Sequence, residues 1–279
     1  MQETPIATTH YQPAGLFPPK PLILIIILLA FAFFFAGCSS LAPYRQQKIL
    51  SGEEIQNIRA EAKAQAQMVS EFYFTGQVSI DGWILDRSAD ILIAGNREPL
   101  KLKMEITHSW GKPLFYLLIR DNRLTIIDFM EKRQYDGEFT AANLSRFLPE
   151  MDFSPDMIWS FLRGYPIYSG EPDIHEDRGG VLTLKGADKK TIGTITLTTS
   201  KEIKEAALFS PGSPGMIFKG FIMAGEISYA ANTLLKDKKE NRGMTLKRKK
   251  VAFNKDIPDE IFTLAIMPSF KQVSLDDVY

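Results

Sequence analysis

Apolar and polar residues alternate along many stretches of the chain, and a period of two is typical of strands with one buried face. The clearest stretch is 99–108, in which every second residue from Leu100 to Ile106 is apolar and the residues between them are charged. It predicts a half-buried antiparallel strand. The same reasoning predicts strands at 72–80, 87–95, 112–120, 123–130, 179–186, 190–200, 204–210, 221–230, 244–253 and 260–266.

The predicted strands between 114 and 129 are apolar on both faces. Strands of this kind are buried on both sides, so other parts of the chain must cover each face of the sheet there. Asp121 and Asn122 lie between two of these strands and predict a tight hairpin turn.

A helical pattern precedes the strands and runs from Ser51 to about 68–71. Ser51 and Glu54 have the S-x-x-E spacing of a capping box, in which each side chain bonds a backbone amide at the helix start. The residues that follow are strong helix formers. The apolar face of this helix is expected to contain Ile55, Ile58, Ala62 and Ala66.

Two further helices are predicted inside the run of strands, at 140–150 and 154–164. The second has Ser154 as N-cap, Pro155 at the first helical position and Gly164 as its stop. Its apolar stripe consists of Met157, Ile158, Phe161 and Leu162. This stripe either packs the helix on the sheet or takes a direct part in binding a ligand.

Composition and charge exclude several classes of protein. Lys+Arg 33 balances Asp+Glu 33, whereas a nucleic-acid-binding protein normally has a basic excess. One cysteine excludes an intramolecular disulfide, and no Cys/His cluster has zinc spacing. The chain has no G-x-S-x-G elbow and no phosphate loop. We therefore expect no catalytic residues, no cofactor and no metal.

The N-terminal residues have the order of an export signal. Residues 21–37 carry no charge, Lys20 precedes them, and small residues close the run before Cys38. The sequence FAGC resembles a bacterial lipobox, although Phe35 stands where an aliphatic residue is usual. The alternative is an uncleaved anchor helix that happens to contain a cysteine. We expect a signal peptide with an upstream extension at 1–37, a lipidated tether at 38–50 and a single domain at 51–279.

The order of these elements resembles the LolA/LolB-like superfamily of lipoprotein-handling proteins, and most of all its LolB-like lipoproteins. The resemblance covers about 51–275. It rests on the lipobox, the LTIID strand, the SPDMIWSFLRGYP helix, the C-terminal run from Phe253 to Asp277, and a first strand with Phe72, Phe74, Gly76, Val78 and Ile80. It implies a mainly β fold with some α: a curved antiparallel half-barrel sheet, covered by a few helices, around an apolar cavity.

The resemblance also implies site residues. A protruding apolar residue before a glycine places cargo in the membrane in this family, and the match is Trp110–Gly111, with Trp in place of Leu. Alternatively, Trp110 folds back onto the sheet. Met216, Ile217 and Phe218 form either a lid or the start of a buried strand. The expected cavity lining is Leu100, Leu102, Met104, Ile106, Met157 and Phe161.

The function implied is that of a lipid-anchored protein on the periplasmic face of the outer membrane. It would bind acyl chains of lipids or lipoproteins and assist their delivery. The expected partners are acylated cargo, the membrane through Cys38, and a periplasmic carrier protein, and the chain is expected to be a monomer. The basic run 236–250 is either a solvated turn or a contact with anionic lipid headgroups. The alternative function is a structural lipoprotein that uses the same fold as a protein-binding scaffold.

Overall fold

The computed structural model describes residues 50–81, 88–148, 154–168, 170–177, 180–209, 215–236 and 243–277. The expected signal segment, Cys38 and nearly all of the expected tether lie outside these residues. The described ranges contain the helices α1 (Gly52–Gln67), α2 (Ala141–Ser145) and α3 (Pro155–Arg163), and a 3-10 helix at Asp259–Phe262.

The strands follow the sequence in two groups separated by α2 and α3. The first group is β1 (Glu71–Ile80), β2 (Ala89–Asn96), β3 (Lys101–Thr107), β4 (Pro113–Arg120), β5 (Arg123–Asp128) and β6 (Arg133–Glu138). The second is β7 (Asp173–Asp177), β8 (Val181–Lys185), β9 (Thr191–Leu197), β10 (Ile203–Leu208), β11 (Gly215–Ala224), β12 (Ile227–Lys236) and β13 (Gly243–Phe253), after which β14 (Lys271–Ser274) follows.

All these strands belong to one open, curved sheet in the order β14-β6-β5-β4-β3-β2-β1-β13-β12-β11-β10-β9-β8-β7. Neighbouring strands are antiparallel except β14, which runs parallel to β6. Two meanders, β1–β6 and β7–β13, meet where β1 pairs with β13. The predicted fold class, a curved antiparallel sheet covered by a few helices, is confirmed.

The concave face of the sheet is the hydrophobic core. Leu102 and Met104 of β3 pair with Ile119 and Leu117 of β4, and all four side chains are buried. Helix α3 packs against this face, where the Trp159 ring meets the Phe72 ring edge-on at a centroid distance of 4.8 Å. The alternation along β3 therefore decides which face receives the helix.

Helix α1 begins as predicted. The Ser51 side chain accepts a hydrogen bond from Glu54 N, and the Glu54 carboxylate accepts one from Ser51 N, which completes the capping box. Its C-terminal carbonyls accept hydrogen bonds from the residues that directly follow β2 and β13. Arg97 Nη1 donates to Ala66 O (3.1 Å), and Asn254 Nδ2 donates to Met68 O (2.7 Å).

The convex face of β3–β6 is covered by the C-terminal segment. Phe262 is buried there and its carbonyl accepts a hydrogen bond from Arg120 Nη1 (3.1 Å). Further along, the rings of Phe129 and Phe270 meet at 5.6 Å. The expectation that both faces of these strands are covered is confirmed, and Asp121 and Asn122 form the predicted turn with positive φ angles.

Two predicted strands are wrong. Residues 221–230 are not one strand, because Gly225 (φ 64°) turns the chain and its two halves belong to β11 and β12. Residues 260–266 form part of the covering segment and of the 3-10 helix instead of pairing in the sheet. Strands β6, β7 and β14 are short and polar, and alternation did not predict them.

Candidate functional site

Trp110 lies at the tip of the β3–β4 hairpin with its side chain in solvent. The turn is closed by His108 N donating to Lys112 O (2.9 Å) and Gly111 N donating to His108 O (2.7 Å), and Gly111 has a φ of 86°. Trp110 is 69% exposed, stacks on the His108 ring at 4.8 Å, and has Lys112 Nζ 6.0 Å from its ring centroid. The side chain therefore extends from the tip and does not fold back onto the sheet.

Two other large apolar side chains are exposed at the same end of the sheet. Met130, in the β5–β6 turn, is 55% exposed, and Ile266, in the covering segment, is 74% exposed. Because β3 to β6 are consecutive antiparallel neighbours, the β3–β4 and β5–β6 turns lie at one end, about 10 Å apart. Ile266 precedes Met267, whose amide donates to Gln134 of β6. We call Trp110, Met130 and Ile266 the apolar rim.

The residues expected to line a cavity are packed together in this structure. Leu102, Met104 and Ile106 are buried on the concave face and Phe161 is buried on α3. Leu100 and Met157 are partly buried and pack against the same core. A ligand between α3 and the sheet would therefore have to separate these side chains from one another.

The residues expected to form either a lid or a strand start belong to strand β11. Met216 and Phe218 are fully buried, and Ile217, between them, pairs with Leu234 of β12. Their place in the sheet agrees with the second alternative, because both bonded neighbours of β11 hold this segment.

Arg248 is a buried cation on the concave face that the sequence did not single out. Its Nη1 donates to Ala230 O (3.0 Å) and Thr233 Oγ1 (2.7 Å), and its Nη2 donates to Phe161 O and Leu162 O (both 2.7 Å). The last two carbonyls are at the C-terminal end of α3, which carries the negative end of the helix dipole. Burial lowers the pKa of Arg248 to about 9.

Arg248 departs from both interpretations of the basic run 236–250, because its guanidinium is buried over the Phe74 ring, 4.9 Å from the centroid. Gly164 leaves room for it, since a Cβ there would stand 2.6 Å from Arg248 Cζ. Lys247, Lys249 and Lys250 are exposed, so for them both alternatives stay predictions.

Arg163, the last residue of α3, is buried in a similar way. Its Nη2 donates to Gln65 O (2.7 Å) of α1, and its guanidinium lies 4.6 Å from the Tyr165 ring centroid. Burial lowers the pKa of Arg163 to about 10 and raises that of Tyr165. Through these contacts Arg163 joins the end of α3 to the end of α1.

A groove of about 860 Å³ lies between α1 and the β9–β12 strands, at the end of the sheet opposite the apolar rim. Its apolar lining comes from Ile58 and Ala62 of α1, Ile203 of β10 and the β11 segment 221–223. An ion pair between Glu54 and Lys201 spans the two sides.

The described residues contain neither a membrane-spanning helix nor a metal-binding cluster. Among the helices in the described ranges, none is long and apolar enough to cross a membrane. Over the same residues, no group of three His, Cys, Asp or Glu side chains is placed to hold a metal ion.

Comparison with known proteins finds similar solved structures, whereas no family model and no curated protein matches. An outer membrane lipoprotein-sorting protein domain from Vibrio parahaemolyticus aligns over 74% of this chain and 94% of its own, with 11% identity and a TM-score of 0.49. A LolA superfamily protein from Nitrosomonas europaea covers 75% and 97%, with 14% identity and a TM-score of 0.43. The Mycobacterium tuberculosis lipoprotein LppX covers 75% and 99%, with 11% identity and a TM-score of 0.33. At this level of identity the likenesses concern the fold.

Proposed function

We propose that this chain is a lipid-anchored, non-enzymatic protein of the bacterial outer membrane, which binds acyl chains of lipids or lipoproteins and helps to place them in the membrane. The exposure of the apolar rim is the observation that carries the proposal. Large apolar side chains that cluster in solvent mark surfaces for contact with a membrane or a protein.

The chemistry of the rim favours a membrane over a protein surface. Tryptophan is enriched at the boundary between lipid and water, where its ring is apolar and its N–H stays hydrated. Lys112 adjoins Trp110, and Lys132 adjoins Met130 in the next turn. Cations beside an apolar contact are attracted to anionic headgroups.

The concave face is the part of the fold that suits an acyl chain. Most of the side chains on it are aliphatic or aromatic, and helix α3 covers it. Because the face is filled by its own side chains, acyl binding requires α3 to separate from the sheet. That movement uncovers apolar surface, which the acyl chain would then cover, so an apolar ligand compensates for the opening better than a polar one.

The first test locates the rim in a membrane. The full-length chain is placed in vesicles that contain brominated lipids, which quench nearby tryptophan fluorescence. Trp110→Phe gives the signal of the remaining tryptophans. We expect that quenching of the intact chain exceeds that of Trp110→Phe by several-fold. Equal quenching of both chains would contradict membrane contact at the rim.

The second test concerns delivery. Trp110→Glu puts a charge at the rim, and Met223→Glu puts the same charge on a residue that is 60% exposed at the opposite end of the sheet. Transfer of an acylated, fluorescent lipoprotein into vesicles should fall at least tenfold with Trp110→Glu, since a charged side chain enters a membrane far less readily than an apolar ring. Met223→Glu should transfer normally. If both variants deliver cargo like the original chain, the rim has no role in delivery.

A further inference from the structure

The tip of the β11–β12 hairpin, residues 220–224 and 227–231, lies beyond the part of the hairpin that pairs with β10 and β13. Strand β10 pairs with β11 only as far as Lys219, and β12 pairs with β13 only from Asn232 onward. The tip therefore has two edges that the neighbouring strands leave unpaired.

The inner edge of the tip is occupied by side chains and backbone from elsewhere. Ser228 N donates to Gln65 Oε1 (2.8 Å), and Ala230 N donates to Gly164 O (2.7 Å). Ala230 O accepts from Arg248 Nη1. Each of these backbone groups therefore points away from β11.

The hydrogen bonds of Ser228 and Ala230 also determine where the backbone N–H and C=O groups of their partners on β11 point. Ser228 is paired with Met223, and Ala230 with Phe221. Since Ser228 and Ala230 bond away from β11, both pairs are the non-hydrogen-bonded pairs of an antiparallel ladder. The N–H and C=O groups of Phe221 and Met223 consequently point outward, away from β12. In the described part of the chain, the pairing of β10 with β11 ends at Lys219 and does not reach these four groups.

The outer edge opens into the groove of about 860 Å³ described above. Phe221 lies on its floor, where its ring meets the Tyr165 ring edge-on at 6.0 Å. Ile222 and Met223 are 47% and 60% exposed beside it. An unpaired strand edge with apolar side chains is a template for another strand.

We propose that this outer edge binds an extended segment of a partner protein, which adds to β11 as a strand. The free backbone groups repeat every second residue, about 6.7 Å apart, and this spacing matches the backbone of an extended peptide. An acyl chain has no groups that could bond them. The proposal goes beyond the proposed function and does not rest on it.

The groove also indicates the side chains of that segment. Its apolar floor suits apolar residues at alternate positions. Glu54 and Lys201 neutralise each other as an ion pair. The remaining charged residues of the lining are two carboxylates, Glu61 and Glu202, and one cation, Lys204. The excess of one carboxylate favours a segment that carries a basic residue.

The test uses the full-length chain in mild detergent and a soluble peptide of alternating valine and threonine with a lysine at each end. Met223→Pro removes one outward N–H without touching the ladder to β12, and Met223→Ala keeps that N–H while shortening the side chain. Titration with a fluorescent form of the peptide measures the affinity of both variants for it. We expect Met223→Ala to weaken binding about threefold or less, and Met223→Pro to weaken it about fivefold more than Met223→Ala does, since one backbone bond contributes about fivefold.

A second test does not depend on whether Met223→Pro folds. It compares two peptides, one with N-methyl groups on its valines and the other with N-methyl groups on its threonines. Strand addition predicts that one of them binds like the parent peptide and the other fails, because only alternate amides face β11. Equal binding of both would overturn the proposal. A dimer that Met223→Pro dissociates would also overturn the proposal, since a second copy of the chain would then cover the edge. Slow hydrogen exchange of the Phe221 and Met223 amides in the free monomer would do the same, since the chain itself would then cover it.

Discussion

Replacement of Arg248 by methionine tests whether the buried guanidinium holds helix α3 on the sheet. Methionine fills much of the same volume but cannot donate a hydrogen bond. The change leaves four acceptors without their donor, two on β12 and two at the C-terminal end of α3. Among the described residues, Arg248 has no carboxylate partner, so these four acceptors and the face of the Phe74 ring stabilise its charge.

The expected loss follows from two opposing effects. Four hydrogen bonds from a charged donor contribute about 8 kcal/mol, at about 2 kcal/mol each. Burial lowers the pKa of Arg248 to about 9 because it disfavours the charged guanidinium, and methionine avoids this desolvation, which offsets a large part of that contribution. The variant should therefore unfold with a free energy about 3 kcal/mol lower than that of the original chain.

Urea unfolding followed by circular dichroism measures this difference. A loss of about 3 kcal/mol moves the midpoint down by about 1–2 M for a protein of this size. Lys247→Met is the matched control, because Lys247 is the neighbouring residue on β13 and is exposed. It should change the free energy of unfolding by less than about 0.5 kcal/mol. If the two variants are equally stable, the hydrogen bonds of Arg248 do not outweigh its burial and the reasoning fails.

Three further changes test local structure. The pKa of Glu54 is lowered from 4.5 to about 2 by its bonds to Lys201 and to the Ser51 amide. Its stabilisation of α1 is therefore complete above about pH 4.5 and is lost as the pH falls towards 2. Glu54→Gln should remove this pH dependence, as measured by helical circular dichroism during a pH titration. Gly76→Ala should lower the free energy of unfolding, measured in urea, by about 1–3 kcal/mol, because the new Cβ would stand 2.1 Å from Lys247 O at the bulge of β1. No change would mean that β1 and β13 separate there. Asn254→Ala should cost about 1–2 kcal/mol in thermal denaturation, because Asn254 has a φ of 50°, donates to Met68 O and accepts from Ser70 N.

Local chemistry made much of the fold predictable from the sequence. Ser51 and Glu54 form a capping box within four residues, and Ser154, Pro155 and Gly164 mark both ends of α3 in the same way. Each of these signals depends on neighbours along the chain. The alternation in 99–108 likewise predicted the buried face of β3, because a strand places alternate side chains on opposite faces.

The buried cations depend on distant parts of the chain and had no local signal. Arg248 stands in a basic run whose composition is typical of a solvated segment, yet its acceptors come from α3 and β12. The two strands of the hairpin at Gly225 were predicted as one strand, since an isolated Gly inside an alternating stretch also fits a bulge. Met130 and Ile266 join Trp110 only through the strand order, which the sequence alone does not specify.

The distribution of polar contacts along α3 determines how the concave face could open. Its C-terminal end is held by Arg248, which bonds two of its carbonyls, and by Arg163, which bonds α1. At its N-terminal end, the polar contact in the described residues is an exposed pair between Arg97 and Asp156 at 3.5 Å, and such pairs contribute at most about 1 kcal/mol. Met157, in the first turn, is also only partly buried. Separation of α3 from the sheet therefore costs less at its first turn than at its C-terminal end. On the acyl-binding proposal, we expect an acyl chain to enter at the first turn while Arg248 keeps the far end of the helix in place.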